Sequence, residues 1–385
     1  MEPTQTLNQT QASTASTRVA EARIRLENLR NYLESVIIGH TDAINALLLA
    51  LIAREHVVMI GPPGTAKTFL VNAVADALNA PRYMYLMTKY SIPDELIGPI
   101  DVATLAKEGR LVRRWSAIVT AKIVFLDEVF KASSSILNSL LSFMQERVLY
   151  DPITGSAVQT QLWTLVGASN EVPQEEELQA VYDRFAFKTF LWYIGRDADM
   201  VAAALRNKWL RPTAARDAMA TMADIEVLHD AALSLLRQES TIKLYQVYMV
   251  PLFQLIKSSV SDRTVIEKMP KAFAAMLAMR GEVSEEAAIE AAYSLIKYVA
   301  RSPDELAEID KALMESLGEV ADLYKKLEEG KRLYGLRELN SAMNILKDVA
   351  AFDIEKVKNK PWLIPRVKSI ISEAQQYISL IQRYF

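Results

Sequence analysis

A chain of 385 residues that is 51% hydrophobic with a net charge of −3 has apolar material for two or three domains and no global basic field for nucleic acid. Cysteine is absent and only His40, His56 and His229 offer imidazole, which excludes a disulfide framework and argues against a structural zinc site. The most apolar window, 43–60, is broken by Arg54, Glu55 and His56 and does not read as a membrane span.

Residues 1–17 are rich in Gln, Thr and Ser and read as a disordered tail, not a signal peptide, so a soluble cytoplasmic protein is the expectation. Ala22, Leu26, Leu29, Leu33 and Val36 alternate spacings of four and three and predict an amphipathic helix. After a break at 36–40 a second helix is predicted over 42–53, then a short buried strand over 57–60. Gly61-Pro62-Pro63-Gly64-Thr65-Ala66-Lys67-Thr68 comes next, and Leu70, Ala73, Val74 and Ala77 place a helix behind it. Strand, tight loop and helix N-terminus make an anion site, with Lys67 for the β- and γ-phosphates and the Thr68 hydroxyl for Mg²⁺. Ala66 stands where a second glycine is usual; its methyl group requires a negative φ.

A strand is expected at 83–87, then an insertion over 98–115 carrying a hairpin around Gly109. Ile123-Val124-Phe125-Leu126 is apolar on both faces, as a central parallel strand should be. It ends in Asp127 and Glu128, placed to hold Mg²⁺ and to polarise an attacking water. A helix over 133–146 and a hairpin turning at 151–155 come next, then strands at 162–168, ending at Ser169-Asn170, and 187–191. From about 198 the pattern is helical. Leu306, Ile309, Leu313, Leu317, Val320 and Leu327 form one stripe, and Val367, Ile370, Ile371, Ala374, Ile378 and Ile381 another; Gly330 and Pro361 divide this part into three helices.

The phosphate loop, Tyr85–Ser91, Gly98-Pro99, Glu108–Arg110, Ile123–Glu128, Ile136–Leu141, Glu146-Arg147, Ala168–Glu171 and Tyr182-Asp183-Arg184-Phe185, in this order over 20–300, resemble the MoxR family of AAA+ ATPases, most closely its RavA branch. Alanine before the loop lysine is usual there. The resemblance implies an α/β fold: a P-loop AAA+ core with a parallel sheet over 18–197, a helical lid over 198–300 and a C-terminal helical domain over 301–385. It implies ATP, bound by Ile38 and Gly39 beside the adenine, by Gly61, Pro62, Pro63, Gly64, Thr65, Ala66, Lys67, Thr68 and Phe69, and by Asp127. It makes Thr68 and Asp127 the Mg²⁺ ligands, Glu128 the base and Asn170 the sensor of the attacking water. Arg184 becomes the arginine finger on a neighbouring subunit's nucleotide, and Arg263, in Ser261-Asp262-Arg263, the second sensor, on the phosphates from the lid. Two hairpins would line a pore, with Arg110, Arg113, Arg114 and Trp115 as candidate substrate contacts.

The resemblance further implies a hexameric ring that hydrolyses ATP to remodel a protein client, chaperone-like, with a von Willebrand factor A (vWA) domain protein as adaptor and no membrane insertion. A chelatase-type metal-insertion motor, a nucleic-acid motor and a non-enzymatic nucleotide-gated scaffold are the alternatives. The β-rich module of larger RavA-type members has no room in 301–385.

Overall fold

The computed structural model describes residues 3–151, 153–195, 197–210, 219–358 and 360–383. It divides into two compact units, Met1–Thr241 with Ser261–Ala287, and Ile242–Val260 with Ala288–Phe385. The first holds all the strands among the described residues: β1 (Val57–Ile60), β2 (Arg82–Leu86), β3 (Ile123–Asp127), β4 (Val148–Tyr150), β5 (Ala157–Gln159), β6 (Thr164–Ser169) and β7 (Phe187–Phe190). Five form a parallel sheet in the order β2-β3-β6-β1-β7, with Val57 facing Val166 on one side and Phe187 on the other. β1 and β6 are buried along their whole length because they sit inside the sheet, whereas β2, at its edge, alternates exposed and half-buried. β4 and β5 form the expected hairpin; Pro152 in its turn lies outside the described residues.

The helices of this unit are α1 (Pro3–Val36), α2 (Thr41–Ala53), α3 (Lys67–Ala77), α4 (Pro93–Ile97), α5 (Val102–Glu108), α6 (Ser134–Glu146), α7 (Glu176–Tyr182), α8 (Ala198–Trp209), α9 (Met222–Leu236) and α11 (Met269–Arg280); the division falls within α10 (Glu239–Leu244) and α12 (Glu285–Lys297). Three features differ from the sequence reading. Residues 3–17, read as a tail, continue α1: the stretch has no glycine, and its one proline stands at the first helical position, where a missing N–H costs nothing. Residues 1 and 2 lie outside the described residues. The insertion holds a helix, α5, where a hairpin was expected. Asp101 caps it, accepting from the Ala103 and Thr104 N–H groups at 3.0 and 3.4 Å, Gly109 ends it at φ +63°, and a single bridge, Ile100 to Arg113, closes its base. The segment 198–300 is not one lid. α9 and α11 pack on each other and on α1 and α2, burying Ile225, Leu228, Phe273 and Leu277, so they belong with the sheet.

His56 pins β1 to its surroundings. Its Nδ1 accepts from the Leu165 N–H of β6 at 3.0 Å, so Nε2 carries the proton and donates to the Met144 carbonyl of α6 at 2.7 Å. Burial, helped by Arg147, lowers its pKa to about 4.

The second unit is helical. α13 (Pro303–Gly335), α14 (Leu339–Ala350) and α15 (Ile364–Gln382) enclose Leu327, Leu346, Val349, Val367, Ala374 and Ile381. The second stripe faces this bundle's interior, as do Val320 and Leu327 of the first; Ile309 and Leu313 are buried outside this cluster, Leu306 is half-buried, and the Leu317 side chain lies outside the described residues. Gly330 does not end α13. The chain turns at Arg337, φ +63°, and Gly330 lies against α14, where a Cβ would come within 2.7 Å of Leu346 Cδ2. Among the described residues no helix is long and apolar enough to cross a membrane.

Candidate nucleotide site

Three adjacent strands deliver the predicted chemistry to one edge of the sheet. Gly61 follows β1, Asn170 follows β6, and Asp127 ends β3, with Glu128 next to it. Carboxyl ends of parallel strands are where open α/β sheets bind ligands. Gly61 donates its N–H to Ser169 O at 3.0 Å, and a Cβ there would meet Leu191 O at 2.5 Å, so only glycine fits. Gly64 takes φ +81° and has open space around it. Thr65 Oγ1 donates to Pro62 O at 2.8 Å and closes the turn. α3 then starts at Lys67, and its first N–H groups have no partner within the helix. Ala66 departs from expectation: its φ is +64°, not negative. The loop needs a left-handed residue before the helix, and the methyl group accepts roughly 1–2 kcal/mol of strain there.

Lys67 is buried, and its Nζ donates to Gly61 O at 2.5 Å, to Pro62 O at 3.0 Å and to Asn170 Oδ1 at 3.4 Å. Burial lowers its pKa, with Asp127 and Glu128 opposing the shift. Asn170 Nδ2 donates to Glu128 Oε1 at 2.6 Å, and Lys131 pairs with the same carboxylate at 3.4 Å. Lys67, Asn170 and Glu128 therefore form one chain of contacts. Thr68 offers an exposed hydroxyl and Asp127 a half-buried carboxylate, hard oxygen donors of the kind Mg²⁺ takes.

On the side expected for the base, Gly39 turns at φ +82° against Ile194 and Met200; a Cβ would meet them at 2.5 and 3.1 Å. Ile38 is half-buried and Phe69 exposed, and His40 is buried, with its pKa lowered by burial. Tyr193 Oη donates to Pro63 O at 2.9 Å. Leu191, Tyr193 and Ile194 after β7, with Met200 in α8, thus touch both parts of the site. Sequence reasoning missed them; their signal was their position just after the last strand of a sheet that binds at strand ends.

Arg184 and Arg263 are elsewhere. Arg184 lies before β7, whose start is fixed by the Ala186 and Phe187 N–H groups donating to His56 O at 3.0 and 3.2 Å. That is the amino edge of the sheet. The four residues of β1 and six of β6 separate it from the phosphate loop by roughly 13–20 Å at about 3.3 Å per residue, beyond the reach of an arginine side chain. Arg184 Nη1 donates to Ala180 O at 3.1 Å. Arg263 pairs with Glu267 at 2.9 Å and interacts with Arg147 and Lys268, and Lys268 donates to Asp183 O next to Arg184. Arg263 was expected over the chain's own phosphates. It lies near Arg184 instead, because α11 packs on α2 and α9 and carries the preceding turn to the amino edge.

Arg113 is corrected as well. Its side chain is 1% exposed and bonds Asp151, itself 0% exposed, at 2.8 Å and Asp94 at 2.7 Å. It ties the insertion to the β4–β5 hairpin and is not free for a substrate; Arg110 remains exposed.

A five-stranded parallel sheet in this order, a glycine-rich loop leading into α3, paired carboxylates on β3 and a polar residue after β6 define a P-loop protein of the AAA+ class. Residues 24–230, more than half of the chain, match the family described as "MoxR domain in the MoxR-vWA-beta-propeller ternary systems", and the chain belongs to that family. An uncharacterised protein of Methanocaldococcus jannaschii is 42% identical over 172 residues, covering 44% of this chain and 44% of that protein. Chaperone MoxR1 of Mycobacterium tuberculosis is 27% identical over 163 residues, 41% of this chain and 42% of its own. The chain thus matches less than half the length of these relatives. A crystal structure from Cytophaga hutchinsonii, of a protein provisionally described as an ATPase, superposes with a TM-score of 0.58 at 20% identity, covering 75% of this chain and 90% of that one, a likeness of fold.

Proposed function

We propose that this chain is a Mg²⁺-dependent ATPase that works as a ring, six-membered as the family resemblance implies, and couples ATP hydrolysis to chaperone-like remodelling of a protein client. The observation that carries this is the split of one catalytic set between two edges of the sheet. Lys67, Asp127, Glu128 and Asn170 gather at the carboxyl edge and Arg184 at the amino edge, so one copy completes its site only with the finger of another. The family description supports a vWA domain protein as adaptor.

In this reading the loop N–H groups and Lys67 bind the phosphates. Thr68 and Asp127 hold Mg²⁺, which neutralises phosphate charge. Ile38, Gly39, Ile194 and Met200 flank the base. Glu128 takes the proton of the water that attacks the γ-phosphorus; the bond to the bridging oxygen breaks, and ADP keeps that oxygen. Glu128 must first exchange its bond from Asn170 for one from water, so Asn170 both stores and positions the base. Arg184 of the neighbouring copy stabilises the charge on the transferred group.

Nucleotide binding and phosphate release by the full chain and two variants test this. Lys67→Ala should weaken ATP binding, because Lys67 neutralises ground-state charge. Glu128→Gln should bind ATP like the parent and lose hydrolysis by about 10²-fold or more, because the base acts only during reaction. Parent turnover in Glu128→Gln would overturn the assignment.

A further inference from the structure

The amino edge of the sheet holds more positive charge than a finger requires. Arg54, Arg147, Arg184, Arg263, Lys268 and Lys271 gather there around three carboxylates, Glu55, Asp183 and Glu267. Two carboxylates are already engaged, Glu55 by Lys271 at 2.9 Å and Glu267 by Arg263 at 2.9 Å. Arg147 has no carboxylate among its described ion pairs. Its Nη2 donates to Arg54 O at 2.9 Å, and its Nε, like those of Arg54 and Arg184, is buried without a hydrogen-bond partner. Buried donors without acceptors are costly, and a group of them calls for an anion.

Two backbone features mark the same place. Arg147 ends α6 with φ +59°, in the left-handed region where glycine is at ease and an arginine costs about 1 kcal/mol or more. The turn Thr264–Lys268 is a one-turn π-helix, a form frequent at functional sites, and it brings Arg263 and Lys268 to the cluster. Burial lowers the pKa of Lys268 to about 8, with Glu55 and Asp183 opposing the shift and Arg263 and Arg184 adding to it, which places all five groups close together. The chain's own phosphates are out of reach across the sheet. Arg147 and Arg184 are half-buried and still accessible to an incoming group.

We propose that Arg147 is a second trans-acting cation, which contacts the phosphates of the nucleotide held by a neighbouring copy together with Arg184. This rests on the ring ATPase reading above. The finger is then one member of a composite site drawn from α6, the segment before β7 and the π-turn before α11. Two guanidinium groups from different elements fix the transferred phosphate from two directions and demand that the neighbour be correctly seated before hydrolysis.

The test is subunit mixing with the full chain. Arg147→Gln should bind ATP within about twofold of the parent and lose about 10²–10³-fold in phosphate release. Mixed with Lys67→Ala it should recover activity, because the variant's intact pocket meets the intact Arg147 of its neighbour. Arg184→Ala mixed with Lys67→Ala is the control. If the control recovers and the Arg147→Gln mixture does not, Arg147 acts within its own subunit and the inference is overturned while the ring reading stands. If neither recovers, the ring reading fails and takes the inference with it. Parent turnover in Arg147→Gln alone also overturns it. Arg147→Met, which keeps the aliphatic stem, is measured alongside; loss of ATP binding in both variants would make Arg147 a folding residue and overturn the proposal.

Discussion

Breaking the Arg113–Asp151 pair gives the sharpest test of how the insertion and hairpin are held. Both side chains are essentially out of solvent, and Arg113 bonds Asp151 at 2.8 Å, Asp94 at 2.7 Å and the Gly98 carbonyl. Asp151 also accepts from the Ile153 N–H at 3.0 Å and from the Thr154 hydroxyl, so it orders the hairpin turn. These donors, Arg113 first among them, hold its carboxyl well below the usual carboxylate range. Arg113→Met removes the cation and leaves a buried carboxylate with only the neutral Ile153 N–H and Thr154 hydroxyl as partners. Removing one partner of a buried pair costs about 3–5 kcal/mol. At about 2–4 °C per kcal/mol for a domain of this size the melting temperature falls by roughly 6–20 °C. Asp151→Asn keeps the turn acceptor but not the charge. Combined with Arg113→Met it should recover most of the loss, because no unpaired charge remains. Calorimetry of parent, singles and double closes the cycle. A loss under about 1 kcal/mol in Arg113→Met, or a double variant as unstable as the sum of the singles, would refute the argument.

His56 predicts acid sensitivity. Its folded pKa of about 4 lies below the ordinary 6.5, so the unfolded chain takes the proton first and stability falls as pH drops from about 6.5 to about 4, by about 3 kcal/mol in all. Unfolding free energies at pH 7 and 4.5 should converge in His56→Gln relative to the parent; equal slopes in both proteins would remove His56 as the cause. Gly330→Ala gains about 1 kcal/mol of helix propensity but forces a methyl group to 2.7 Å from buried Leu346, an overpacking of about 1–3 kcal/mol, so a net loss of up to about 2 kcal/mol is expected. Melting at or above the parent would show that the α13–α14 contact yields freely.

Much of this was legible in the sequence because it is local. Val57–Ile60 and Ile123–Asp127 are apolar on both faces and are interior strands, and the carboxylates and Lys67 fall where strand ends must place them. The π-turn before α11 and the packing of α11 on α2 were not legible, because both are settled by contacts far apart in the chain, such as Lys271 with Glu55. That is why Arg263 was assigned to the wrong edge. Arg113 misled for the same reason: an arginine in a glycine-containing turn looks solvated until its partner 38 residues on is known. Ala66 and Gly330 failed as simple rules of conformation, one because the phosphate loop accepts strain, the other because a glycine inside a helix served close packing instead of termination.

The central claim is that no copy of this chain completes its site alone. Phosphate release by the parent, measured against protein concentration with assembly followed by light scattering, tests it most directly. Specific activity should rise more steeply than linearly and level off once rings are complete. Constant specific activity at concentrations where the protein is demonstrably monomeric would contradict it and leave Arg184 without a role in hydrolysis.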